Sequence, residues 1–164
     1  MRKYLISILL LVSIGCSNKK PLKTGLEGEV LPSFNLLLKD STTVINTRNL
    51  PTNKPIVLML FSPYCPYCKA QIKEITREIN KLKDVDICLV TYFPIPAVRK
   101  FSADYHLDQY QNITVGVDTS DFMLKYFKAL NIPYTAIYRK DRKLTNAFVG
   151  RIPVGQMRAV AQIE

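Results

Sequence analysis

The chain has 164 residues, with 23 lysines and arginines against 13 aspartates and glutamates, a formal charge of +10, and no tryptophan. That length suits one domain with a real core and argues against a multidomain assembly. The basic residues are spread along the chain without a recognisable nucleic-acid module, so a solvated surface is expected and a nucleic-acid partner is not.

The first residues, "MRKYLISILLLVSIGC", set Arg2 and Lys3 before an apolar run that ends at Gly15 and Cys16. The run is too short to span a bilayer as a stable helix and has the layout of a secretory signal, assigned here to residues 1–15. Gly15 before Cys16 resembles the cleavage box of bacterial lipoproteins, which implies acylation of Cys16 and a membrane attachment through lipid. Ser17 stands where an aspartate often marks inner-membrane retention, so an outer-membrane anchor facing the periplasm is preferred. Residues 16–27 are polar and lack periodicity, and they read as a lipidated tether. The folded domain is placed at 28–164.

Within that domain, "LPSFNLLLKDSTTVINTRNL" suggests a short hairpin about a Lys39-Asp40-Ser41 turn. Residues 56–61 are continuously apolar, as a strand covered on both faces is. "CPYCKAQIKEITREINKLK" sets Ile72, Ile75, Ile79 and Leu82 at helical spacing. "VDICLVTYF" is a second buried strand. "PAVRKFSADYHL" is a helix opening at Pro96, where proline costs least, and "NITVGVD" is a short strand. "TSDFMLKYFKAL" is a helix capped by Thr119 or Ser120, with a stripe of Phe122, Met123, Tyr126, Phe127 and Leu130, closed by Asn131. "YTAIYRKDRKLTNAFVG" reads as two strands about a charged turn, and "PVGQMRAVAQIE" as a terminal helix. Strands that alternate with helices, followed by a late hairpin, make an α/β domain with a central mixed sheet flanked by helices.

The chemistry concentrates in "FSPYCPYC". Once Cys16 is assigned to lipid, Cys65, Cys68 and Cys88 remain. Cys65 falls between a strand and a helix, where unpaired amides and the positive helix end favour a thiolate, the attacking species in disulfide exchange. Cys68, one turn on, is placed to close a disulfide with it, and Pro66 fits the first turn. Structural zinc would want a second ligand pair, and the chain has no second CxxC and a single histidine. A permanent bridge would close only a tiny loop and stabilise little. In an exported chain a redox-active Cys65-Cys68 disulfide is the leading reading, in place of any cofactor or metal.

Pro133, in "LNIPYTAIY", follows a helix end and precedes a strand, where a cis bond suits a tight turn. With "CPYC", the entering "KPIVLMLF", the middle strand, "NIPYT" and the terminal strand–Gly150–helix, the chain resembles the thioredoxin superfamily. It is most similar to the membrane-tethered TlpA/ResA-type thiol–disulfide oxidoreductases of bacteria, over residues 28–164. The resemblance implies a thioredoxin-like fold with an N-terminal β-hairpin extension. It also implies that Cys65 is the nucleophile, Cys68 the resolving thiol, Pro133 cis beside the sulfurs, and Ile132 a backbone docking point for an extended substrate. Apart from the resemblance, Tyr64, Tyr67 and Tyr134 are candidates to rim the dithiol and grip a peptide, with simple packing the equal alternative. Implied partners are protein thiols or disulfides and a membrane electron donor, with reduction the favoured direction.

Departures from the pattern are Met59, where a buried acid is common, and Tyr64, where tryptophan is. The Pro66-Tyr67 pair matches glutaredoxins, but their glycine pair is absent after "AFVG". Cys88 is expected in the core and His106 at the surface or a helix end. The competing reading is a non-catalytic binding module on the same fold that docks a partner at the envelope.

Overall fold

The computed structural model describes residues 18–51 and 53–163. The signal peptide and the acylation of Cys16 therefore lie outside the described residues. The hairpin forms as β1 (Asn35–Leu38) and β2 (Val44–Asn46), with Leu36 opposite Ile45. Its turn is held by Asp40, whose carboxylate accepts from the Thr42 and Thr43 amides at 3.0 and 2.8 Å.

The apolar run becomes β3 (Ile56–Leu60), buried throughout. It pairs in parallel with β4 (Asp86–Thr91), and β4 pairs in parallel with β5 (Ile113–Val117). On its other side β3 pairs antiparallel with β6 (Tyr134–Tyr138), which pairs with β7 (Leu144–Val149). The sheet order is β2-β1-β5-β4-β3-β6-β7, the mixed α/β sheet expected.

Alternation along β3 sends Val57 and Met59 to one face and Ile56, Leu58 and Leu60 to the other. The first face is covered by α1 (Pro66–Arg77) and α4 (Val154–Ala161), through Ile72, Ile75, Val154 and Met157. Each such fully buried aliphatic contributes about 1.5–3 kcal/mol relative to exposure. The second face is covered by α3 (Phe122–Phe127) and by Leu31, Phe34 and Leu36 of the N-terminal region. Phe101 of α2 (Ile95–Asp104) packs into the first cluster.

Several elements differ from expectation. The first helix leaves α geometry at Glu78 and finishes as a 3₁₀ turn over Ile79–Leu82, which keeps Leu82 buried. α2 opens at Ile95, so Pro96 is its second residue. α3 is not capped by Thr119 or Ser120. The buried Asp118 does that work, accepting from the Met123 amide at 2.7 Å and from the Ser120 amide and hydroxyl at 3.2 and 2.8 Å. Nor does Asn131 close α3. Lys128 adopts a left-handed conformation (φ 49°), the Ala129 amide bonds the Leu124 carbonyl at 3.0 Å, and Leu130 is thrown out of the stripe to 92% exposure.

Residues 18–27, the described part of the expected tether, and the residues just after them lie along the fold. Leu22 and Val30 form antiparallel bridges to Ala147 and Lys143 of the β7 hairpin. Lys19 exchanges two hydrogen bonds with the Gln156 side chain on α4, at 2.7 and 2.6 Å. Backbone pairing is indifferent to side-chain periodicity, so the composition did not reveal it. Among the described residues no helix is long and apolar enough to cross a membrane.

Candidate active site

β3 ends by pairing Phe61 to Val90, and the chain then turns at Ser62. The Ser62 hydroxyl accepts from the Tyr64 amide at 3.1 Å and its carbonyl accepts from the Cys65 amide at 3.2 Å. This turn delivers Cys65 to the N-cap of α1, with Pro66 following as the first helical residue. The Cys68 amide donates to Cys65 Sγ at 3.3 Å. An otherwise orphaned helix donor is thus aimed at the first sulfur. The two thiols are free, Cys65 half-buried and Cys68 fully buried. Burial, then the hydrogen bond and charge of Cys65 beside it, push the Cys68 thiol well above the ordinary thiol range. The two sulfurs are therefore unlike: one accessible and facing a backbone donor, the other sequestered and held protonated.

The loop before β6 lies against the first of them. The Ile132-Pro133 bond is cis, and the Ile132 carbonyl lies 3.8 Å from Cys65 Sγ. The Pro133 carbonyl accepts from the Gly150 amide at 2.7 Å, tying this loop to the end of β7. Tyr64 and Tyr67 flank the first sulfur in sequence and are 66% and 67% exposed, while Tyr64 packs edge-on against Phe93. Tyr134 does not belong to this rim. It is buried on the opposite face of the sheet, its ring 5.2 Å from Phe127, because it faces away from the dithiol on β6.

Gln71 was not singled out in the sequence, and its side chain clamps the site from below. It is fully buried, donates to the Ile152 carbonyl at 3.0 Å and accepts from the Ile152 amide at 2.7 Å. Glu74, one turn further on, pairs with Arg151 at 2.9 Å. These bonds lock α1 to the segment between β7 and α4. A glutamine amid an isoleucine stripe was the one available signal.

Met59 is buried on the dithiol face of β3, opposite Thr135 of β6. Neither residue brings a carboxylate there. The half-buried Asp86 has its carboxyl raised by burial, but it opens β4, at the other end of the sheet. Cys88 sits mid-strand on the opposite face from Cys65 and Cys68 and is a core residue. His106 is exposed, in a left-handed turn after α2. Among the described residues no three His, Cys, Asp or Glu side chains converge to hold a metal ion. A cleft of about 550 Å³, lined by Pro55, Arg139 and Ile163 among others, lies at the far end of the sheet from the sulfurs. Cys65 is half-buried between the exposed Tyr64 and Tyr67 in the chain, and none of the residues that line this cleft is one of them.

A family model described as the AhpC/TSA family matches residues 28–149. No curated protein matches the sequence. Among solved structures, a secreted Mycobacterium tuberculosis disulfide oxidoreductase homologous to E. coli DsbE is 20% identical, with a TM-score of 0.61, covering 78% of this chain and 93% of that one. The exposed lipoprotein thioredoxin Etrx1 of Streptococcus pneumoniae is 18% identical, with a TM-score of 0.62, covering 80% and 100%. The peroxidoxin BcpB of Mycobacterium tuberculosis is 13% identical, with a TM-score of 0.68, covering 83% and 96%. At these identities the likeness is one of fold. The chain belongs to the AhpC/TSA family, and its fold is that of the thioredoxin superfamily and its TlpA-like thiol–disulfide oxidoreductases.

Proposed function

We propose that this protein is a thiol–disulfide oxidoreductase that acts on protein cysteines at the periplasmic side of the bacterial envelope, held there by acylated Cys16 and working as a reductase. One observation carries the reading: an accessible Cys65 sulfur receives the Cys68 amide at 3.3 Å, above a buried Cys68 thiol.

The chemistry balances as two exchanges. The Cys65 thiolate attacks a substrate disulfide, forming a mixed disulfide and releasing one substrate sulfur, which takes up a proton. Cys68 then gives up its proton and attacks Cys65 Sγ. The Cys65–Cys68 disulfide forms and the second substrate thiol leaves with a proton. The substrate gains two electrons and the enzyme pair loses them, so a membrane dithiol donor must restore it. Tyr64 and Tyr67 supply exposed aromatic surface for a peptide, and the backbone at Ile132 and Pro133 borders the first sulfur.

Trapping tests this directly. Cys68→Ser in cells should accumulate covalent adducts with cysteine-bearing proteins, released by dithiothreitol and lost when Cys65→Ser is added. Equilibration of the purified pair against glutathione gives the direction. No adduct from Cys68→Ser, together with a pair that never equilibrates with glutathione, would overturn the reading.

A further inference from the structure

We infer that the dithiol end of the domain rests against the lipid headgroup layer, so that the site works on sulfurs at the membrane surface; this rests on the acylation of Cys16 proposed above. Lys19 is fixed to Gln156 in the first turns of α4 by two hydrogen bonds. A Cβ at Gly150 would lie 3.2 Å from Lys19 Nζ. Gly150 donates to the Pro133 carbonyl, and the neighbouring Ile132 carbonyl touches Cys65 Sγ. The chain thus enters the fold at the end of the sheet that carries the sulfurs.

Lys19 is three residue steps from Cys16, and an extended chain covers at most about 3.5 Å per step, so the entry point stays within about 10 Å of the acylated residue. The strands add about 20 Å between the two ends of the sheet. With the domain upright on its anchor, the far end, with Ile163 and the cleft beside Pro55, stands that much farther from the bilayer.

The dithiol end also has the surface chemistry of a headgroup contact. Lys19, Lys20 and Lys69 are exposed there, and none of the ion pairs among the described residues engages them. Tyr64, Tyr67 and Leu130 are exposed beside them. Amphipathic tyrosines, an aliphatic tip and unpaired lysines are the surface chemistry that anionic headgroups take up. A dithiol so placed meets membrane proteins whose cysteines lie close to the headgroups, its reductant included.

The absence of tryptophan allows a clean test. Leu130→Trp reports from the dithiol end and Ile163→Trp from the far end, each in the full acylated protein. Both are reconstituted on vesicles of phosphatidylethanolamine and phosphatidylglycerol carrying a headgroup nitroxide. The indole of Leu130→Trp should be quenched several-fold more strongly than that of Ile163→Trp. Equal quenching, or stronger quenching at Ile163→Trp, overturns the orientation and reassigns the tyrosine–lysine face to a protein partner. An intact mass without acyl chains overturns it as well. Neither result touches thiol exchange, which the Cys68→Ser trap reads separately.

Discussion

Gln71 and Ile152 exchange two hydrogen bonds inside the protein, at 3.0 and 2.7 Å, joining the helix that carries the dithiol to the strand–helix connection beside it. Both backbone groups of Ile152 depend on this one side chain, because the segment belongs to neither a strand nor a helix. Gln71→Leu keeps the volume and strands both groups. A loss of about 1–3 kcal/mol in stability is expected, read as a lower urea midpoint at unchanged slope. An unchanged midpoint would mean that Ile152 finds other partners.

Alkylation should separate the cysteines. Cys65 is half-exposed, whereas Cys68 and Cys88 are buried and have raised thiols. The reduced protein treated with iodoacetamide at neutral pH should take one label quickly, at Cys65 by peptide mass mapping. The other two should label only on unfolding. Comparable labelling of Cys68 in the native state contradicts the arrangement described.

Alkaline destabilisation follows from Cys88. Burial pushes its thiol from an ordinary 9.0 up to about 12. Below 9 both folded and unfolded chains keep the proton, and this contribution is fully present. Between 9 and 12 the unfolded chain sheds the proton while the folded one holds it, so stability falls as pH rises, by at most about 1.4 kcal/mol per pH unit. Cys68 adds to the loss in the reduced protein only. Urea midpoints followed from pH 8 upward should decline, and Cys88→Ala should flatten the decline between pH 9 and 10, below the ordinary tyrosine value of 10.0 from which the buried Tyr134 and Tyr138 begin to contribute. An identical slope in that variant would contradict the assignment.

The hairpin reaches the sheet at a tight point. A Cβ on Gly116 of β5 would sit 2.8 Å from Leu36 Cβ of β1. Gly116→Ala must therefore push β1 outward, at a cost of about 1–3 kcal/mol. Faster amide exchange across residues 35–46, with the β3–β4 amides unaffected, is the expected signature.

What the amino-acid pattern revealed, and what it hid, divides by physical cause. The buried strands, the amphipathic first helix and the CPYC junction rest on periodicity and local geometry, so they were legible, as was Pro133 ahead of a strand. The cap by Asp118 was not, since Thr119 and Ser120 offered the same chemistry nearer the helix and only the left-handed turn at Asp121 decides among them. Tyr134 was a candidate for the rim, yet the two-residue alternation of a strand turns it to the far face. Gln71 and the path of residues 18–31 depend on backbone groups distant in sequence, which no local pattern records.

The pairing of the N-terminal segment bears on how copies of this protein meet. β7 is last in the sheet order, and a terminal strand offers its free amides and carbonyls to any extended chain. Here the Leu22 amide occupies the Ala147 carbonyl at 2.8 Å, while Gly28 and Glu29 pair both backbone groups of Leu144. The opposite border, β2, is only three residues long. Crowded neighbours would find little exposed edge along which to zip into a continuous sheet, so the protein is protected from self-polymerisation by its own residues 22–29.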